Sequence, residues 1–166
     1  MTKMITEAEM SLQTLYTHML ESGIERIQLQ LEDECVMLHT ENGTGYSIAL
    51  IEDKKFIRFS TALPLRRNVS YEQKIAYANH LNSKVFLPCF CITTQGNIGV
   101  SYVMPYRLGV IAAQFMNIVR RFGSMLEFIE QAHNDDGLIE FEISSDESNE
   151  SPDLAQISQP KGCLLN

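Results

Sequence analysis

The sequence predicts an α+β domain in which an antiparallel sheet is packed by helices. Two observations carry that reading. Apolar residues recur at helical spacing near the start, the middle and the end of residues 1–133, and with period 2 in between. The changes of period fall at turn and breaker signals, among them Asn42-Gly43, Pro64, Gln95-Gly96 and Pro105. A third observation bounds the domain. Asp plus Glu against Lys plus Arg is 13 against 12 over residues 1–133 and 8 against 1 over residues 134–166, so the net charge of -8 sits mostly in a tail. At 166 residues the chain suits one domain and is short for two.

The first helix is expected over 7–22. Thr6 with Glu9 makes a capping box, Ile5 with Met10 a hydrophobic staple, and Gly23 suits the positive φ that closes a helix. Ala8, Leu12, Leu15, Tyr16 and Met19 form its apolar stripe. Ile27 to Leu31, Cys35 to His39, Tyr46 to Ile51 and Phe56 to Leu63 then alternate as three or four antiparallel strands in a meander. Asp33-Glu34 is too weak a hairpin signal to decide between one bent strand and two. Ser70 and Gln73 cap a second helix to about Lys84, with Tyr71, Ile75, Ala78, Asn82 and Val85 on one stripe. An Asn among apolar positions must have its amide bonded, so Asn82 is expected to tie the helix to a neighbouring segment rather than to hold a ligand.

A hairpin follows, 88–94 and 97–104 joined at Gln95-Gly96, with Phe90 and Ile92 on one face and Cys89, Cys91 and Thr93 on the other. The last helix, over 108–132, carries Ile111, Phe115, Ile118, Val119, Phe122, Leu126 and Ile129 at helical spacing and should cover a sheet face. The tail 134–166 is too polar and acidic to offset its ordering entropy and is expected to be disordered over 144–166. Within it, Ile139, Phe141 and Ile143 alternate with Glu140 and Glu142, the pattern of a short strand over 138–143.

Chemistry is weakly written. Cys89-x-Cys91 lacks further ligands at metal spacing, and packing by small apolar thiols explains it better. Cys35 and Cys163 complete a set of four cysteines without a disulfide framework, which suits a reducing compartment. Ser101 lies within Gly99-Val-Ser-Tyr-Val103, a hairpin strand without the geometry of a nucleophile elbow. Gly43-Thr-Gly45 is too short for a dinucleotide or phosphate loop, and Asn134-Asp-Asp-Gly137 lacks the ligand pattern of an EF-hand. The terminal Cys163-Leu-Leu-Asn166 is a poor prenylation signal. No catalytic residue, metal or cofactor is assigned. No run approaches the roughly 20 apolar residues of a membrane span, so no membrane partner and a cytoplasmic location are expected. Lys54, Lys55, Arg58, Arg66 and Arg67 concentrate positive charge beside the meander. A near-neutral domain with an acidic tail is a poor nucleic-acid binder, which leaves a solvated face or docking of the tail.

The order of helix, meander, helix with Asn79-His-Leu-Asn82, hairpin leading to Met104-Pro105, and long helix resembles the YbjN-like family. Its members are described as proposed bacterial sensory transduction regulators, with a fold like that of type III secretion chaperones. The resemblance covers residues 6–132 and implies the order α-β-β-β-α-β-β-α, often in a dimer, with no catalytic residues to carry over. The functional expectation is a non-enzymatic protein-interaction module, chaperone-like or regulatory, that binds a protein or peptide through sheet and helix surfaces. Ala112, Met116 and Gly123 form a small-residue flank on the last helix and are the candidate homodimer contact. Asn79 and Asn82 are assigned structural polar roles. The alternative is a small-molecule sensor with a pocket between sheet and last helix, lined by Tyr102, Arg107 and Phe115.

Overall fold

The computed structural model describes residues 3–140. The expected disorder over 144–166 and the end of the strand expected over 138–143 lie outside the described residues. The elements are β1 (Met4–Ile5), α1 (Leu12–Glu21), β2 (Ile27–Gln30), β3 (Cys35–His39), β4 (Gly45–Ile51), β5 (Phe56–Leu63), α2 (Tyr71–Lys84), β6 (Cys89–Ile92), β7 (Ile98–Pro105), β8 (Val110–Ile111) and α3 (Ala112–Ala132). Six strands form one antiparallel sheet in the order β2-β3-β4-β5-β7-β6. The meander therefore has four strands where the resemblance implied three. Asp33-Glu34 does turn the chain, helped by the positive φ of Glu34 (50°), and β2 pairs β3 from Ile27↔Leu38 to Gln30↔Cys35.

Period 2 along each strand puts one set of side chains against the helices. Val36, Ile48, Ile57, Phe59 and Ile98 are fully buried on that inner face. Helix α3 lies across it: the rings of Phe115 and Phe122 pack 6.1 and 5.8 Å from Phe59, and the Tyr46 hydroxyl donates to Val119 O at 3.2 Å. Burial pushes the Tyr46 phenol well above its ordinary value, with Glu127 adding to the shift, so it stays a neutral donor. Leu15 and Met19 of α1 join the same core.

Both outer helices begin later than the sequence suggests. Thr6 and Glu9 do interact, the Thr6 N–H and hydroxyl both donating to the Glu9 carboxylate at 3.0 and 2.7 Å, but they close a single 3₁₀ turn over Glu7–Glu9. The chain then extends at Met10, and α1 starts afresh with Ser11 accepting from Thr14 N–H. Ala8 is consequently exposed instead of heading the apolar stripe. At the other end Leu108 is 92% exposed, because Gly109 (φ 83°) turns the chain into the two-residue strand β8 before α3 starts. Strand β8 pairs β1 as Met4↔Ile111 and Ile5↔Val110, a second small sheet that two-residue strands give no pattern to foresee. Lys3 O also accepts from Ala112 N–H, serving the start of α3, which has no side-chain cap.

Helix α2 has the expected capping box, with Ser70 Oγ accepting from Gln73 N–H and Gln73 Oε1 from Ser70 N–H. Its buried side differs from the expected stripe. Ala78, Leu81 and Val85 face the core while Tyr71 and Ile75 are exposed, because the helix packs beside the edge strand β6 instead of over a sheet face.

After α3 the chain turns at Gly137 (φ 58°), and Ile139 bridges Leu65 in antiparallel fashion. Arg66 N–H donates to Leu138 O and Glu140 N–H to Pro64 O. Ile139 is buried, and Asn134 braces this return by bonding both Ile139 N–H and Ile139 O.

Candidate protein-interaction surface

With α1 and α3 on one side of the sheet, the residues of opposite phase form its other face, on which no described helix lies. One row across it runs Gln28, Met37, Ser47, Ser60, Ser101 and Cys89. The next runs Gln30, Cys35, Ala49, Arg58 and Val103, and a shorter one Ala62, Gly99 and Cys91. Ser47 and Ser60 hydroxyls bond each other at 3.1 Å. Arg58 is the single Lys, Arg, Asp or Glu in the six strands. The middle of this face is built of small Ser, Ala, Gly and Cys side chains, weakly polar and nearly uncharged, which lets another backbone approach closely there.

The strand edges differ in availability. On β6 the Asn82 side chain donates to Phe90 O and accepts from Phe90 N–H, both at 2.9 Å. One amide thus satisfies the outward N–H and C=O of Phe90, in the middle of this four-residue strand, which blunts the edge there. Asn79, one turn earlier, is exposed. Tyr71 and Ile75 share the helix face of Asn82 and are 66% and 39% exposed. Just past the helix Phe86 is 95% exposed, and Leu87 beside it holds φ 104°, a strained value for a leucine. These side chains lie on the β6 side of the sheet.

Other sequence-predicted positions fall elsewhere. Ala112 and Met116 are each 3% exposed in the single chain, and Gly123 faces the Tyr46 hydroxyl, 3.5 Å from where a Cβ would sit. The chain's own core covers this flank, which corrects the expectation that it is free to contact a second copy. Phe115 is fully buried against Phe59, Tyr102 is half-buried 6.0 Å from Phe59, and Arg107 is exposed in the β7–β8 turn. That interface is packed aromatic core, so the ligand-sensing alternative is not favoured. The five basic side chains separate into Lys54, Lys55 and Arg58 near one end of β5 and Arg66 and Arg67 beyond the other, and Lys55 pairs with Glu7 at 3.5 Å.

Two surface clefts open away from the sheet face. One of about 250 Å³ lies where the end of α3 meets α2, lined by Tyr77, His80, His133, Asp135 and Asp136. The Tyr77 hydroxyl donates to His133 O at 2.6 Å, and burial, with Asp136 adding to it, pushes its pKa up to about 12. The other, of about 260 Å³, is lined by Lys3, Gln13, Thr17, His18 and Glu21. Burial, helped by Asp33 and opposed by Arg58, raises the Cys35 thiol and keeps it protonated. Among the described residues no three His, Cys, Asp or Glu side chains are placed to hold a metal, and no helix is long and apolar enough to cross a membrane.

The architecture defines a class, an α+β fold of the type III secretion chaperone kind. Two solved structures of that kind resemble it. The chaperone-effector complex HopA1-SchA matches with TM-score 0.50 and 10% identity over 70% of this chain and 88% of that one. The ExsC-ExsE complex matches with TM-score 0.52 and 14% identity over 74% and 96%. A crystal structure of YbjN from E. coli, titled "a putative transcription regulator", matches with TM-score 0.65 and 18% identity over 80% of this chain and 97% of that one. The sequence profile of the family described as "Putative bacterial sensory transduction regulator" matches residues 11–141, and the chain belongs to that family, YbjN. No curated relative matches the sequence.

Proposed function

We propose that the chain is a non-enzymatic protein-interaction module, chaperone-like or regulatory, that binds a polypeptide on the open sheet face. The observation that carries this reading is the pairing of a nearly uncharged, small-residue sheet face with exposed apolar side chains, Val103 within it and Phe86 on its β6 side. The HopA1-SchA chaperone-effector complex among the structural neighbours supports a polypeptide as the occupant. The homodimer implied by family resemblance belongs to the exposed Tyr71, Ile75 and Phe86 surface, since the α3 flank is covered. A cytoplasmic location is part of the same proposal.

The test compares proteins captured by the full chain and by Ser60→Arg and Val103→Arg variants, whose new charges project from the open face. Partners lost in both variants while far-UV circular dichroism stays native support the reading. Unchanged capture by both refutes it. Light scattering on Phe86→Ser tests the dimer: a monomer is expected, and a dimer that persists removes this surface.

A further inference from the structure

We infer that Cys89 and Cys91 form a binding site for a soft, thiophilic cation held by two thiolates in line, of which Cu(I) is the biological case. The site stands apart from the polypeptide-binding reading and neither needs nor excludes it.

Packing does not account for this pair. Cysteines are mostly buried as small apolar groups, and Cys35 follows that habit, but Cys89 is exposed and Cys91 half-buried. The two alternate with the buried Phe90 on edge strand β6, so both thiols stand on the open face, where no described helix obstructs an ion. Asn82 holds both backbone groups of Phe90 between them, which fixes the strand and with it the spacing of the two Cα atoms. Across the ladder Cys89 faces Ser101 and Cys91 faces Gly99. The Cys91 Sγ lies 3.0 Å from where a Cβ on Gly99 would sit, so the glycine leaves this thiol room to change rotamer and turn along the strand.

Distance then decides what the pair can bind. Alternate residues of a strand stand about 6.6 Å apart with their Cα–Cβ bonds nearly parallel, whereas a disulfide needs its Cβ atoms at about 3.5–4.5 Å. The two thiols therefore cannot close on each other without bending β6. A cation between two thiolates in line, with metal–sulfur bonds of about 2.3 Å, sets the sulfurs about 4.6 Å apart, which the side chains reach when each leans about 1 Å towards the other. Zinc asks for two further ligands, and among the described residues no three His, Cys, Asp or Glu side chains converge. Two sulfurs alone satisfy the soft ions that thiolates select, Cu(I) foremost. Binding is ligand exchange: each thiol gives its proton to solvent and forms one Cu–S bond, with no change of oxidation state.

Anaerobic titration of the full chain with Cu(I) against a chromophoric Cu(I) chelator tests the site. One Cu(I) per chain is expected, with two sulfur neighbours by X-ray absorption. Cys35→Ala and Cys163→Ser should retain it. Cys89→Ser and Cys91→Ser should each weaken it by about a hundredfold or more, beyond what the loss of an outer hydrogen bond to a ligand costs, while far-UV circular dichroism stays native. No bound copper, three sulfur neighbours, copper that survives replacement of both Cys89 and Cys91 by Ser, or copper held only between copies in light scattering would each overturn the proposal. Complete loss to a millimolar excess of glutathione would overturn it too, marking adventitious capture by exposed thiols.

Discussion

Replacing Asn82 with Ala removes a side chain that serves a strand edge rather than a core. Its amide makes two bonds of 2.9 Å to the Phe90 backbone, and without it that N–H and C=O face outward with no protein partner. Each such bond contributes about 0.5–1.5 kcal/mol net, and the position is exposed enough for water to replace part of the loss. A destabilisation of about 1–2 kcal/mol follows, or a fall in Tm of about 4–8 °C for a domain of this size. The chain has no Trp, so urea unfolding is best followed by far-UV circular dichroism. Asn79→Ala is the control, since that side chain is exposed and its loss should stay within about 0.5 kcal/mol. The variant should also self-associate at high concentration, because an opened edge is a template for another strand. Equal midpoints for the two variants would refute the assignment of Asn82 as the edge closure.

Phe59→Ala empties the centre of an aromatic cluster formed with Tyr102, Phe115 and Phe122, and should cost about 3–5 kcal/mol in urea unfolding; a cost below about 1 kcal/mol would contradict the packing described. Tyr77→Phe should cost about 0.5–1.5 kcal/mol at neutral pH through the lost bond to His133 O. Because the folded pKa of Tyr77 is raised from 10.0 to about 12, its contribution is whole below pH 10 and lost as pH rises through 12, so the difference between wild type and variant should shrink over that interval in thermal melts. Glu9 behaves in the opposite sense. The hydrogen bond from Thr6 N–H, then that from its hydroxyl, lowers its pKa below the ordinary 4.5, so its stabilisation is present above 4.5 and lost as pH falls through the folded value. Melts of Glu9→Gln and wild type should therefore converge in acid, and a gap that persists there would assign the effect to something other than the carboxylate.

What the sequence disclosed was local. The Ser70 and Gln73 box marks α2 to the residue because both partners lie within one turn. The Thr6 and Glu9 pair was equally visible, yet the same chemistry closes a 3₁₀ turn, and nothing within four residues distinguishes the two. Alternation in Phe56–Leu63 announced a strand with a polar side, but not that β7 would lie beside it and leave β6 at the edge, a matter of long-range pairing. The surface was harder to read for the same reason. Asn82 signalled a demand for hydrogen bonds, while Phe90 as its partner emerges only in space. Ala112 and Met116 looked like a free flank because a helical wheel shows angles and not what the rest of the chain places over them.

The small sheet of β1 and β8 bears on how the molecule comes together. Residues 3–5 are made before the segment they pair with, and closing Ile5 on Val110 encloses about a hundred residues, a join whose entropy cost rises slowly with length but comes before its contacts form. That join also supplies Lys3 O to the first turn of α3, the helix that roofs the core. Residues 3–5 are thus set in place together with a segment about a hundred residues further along, and a bulky insertion beside residue 3 would burden the seating of α3 far from it in sequence.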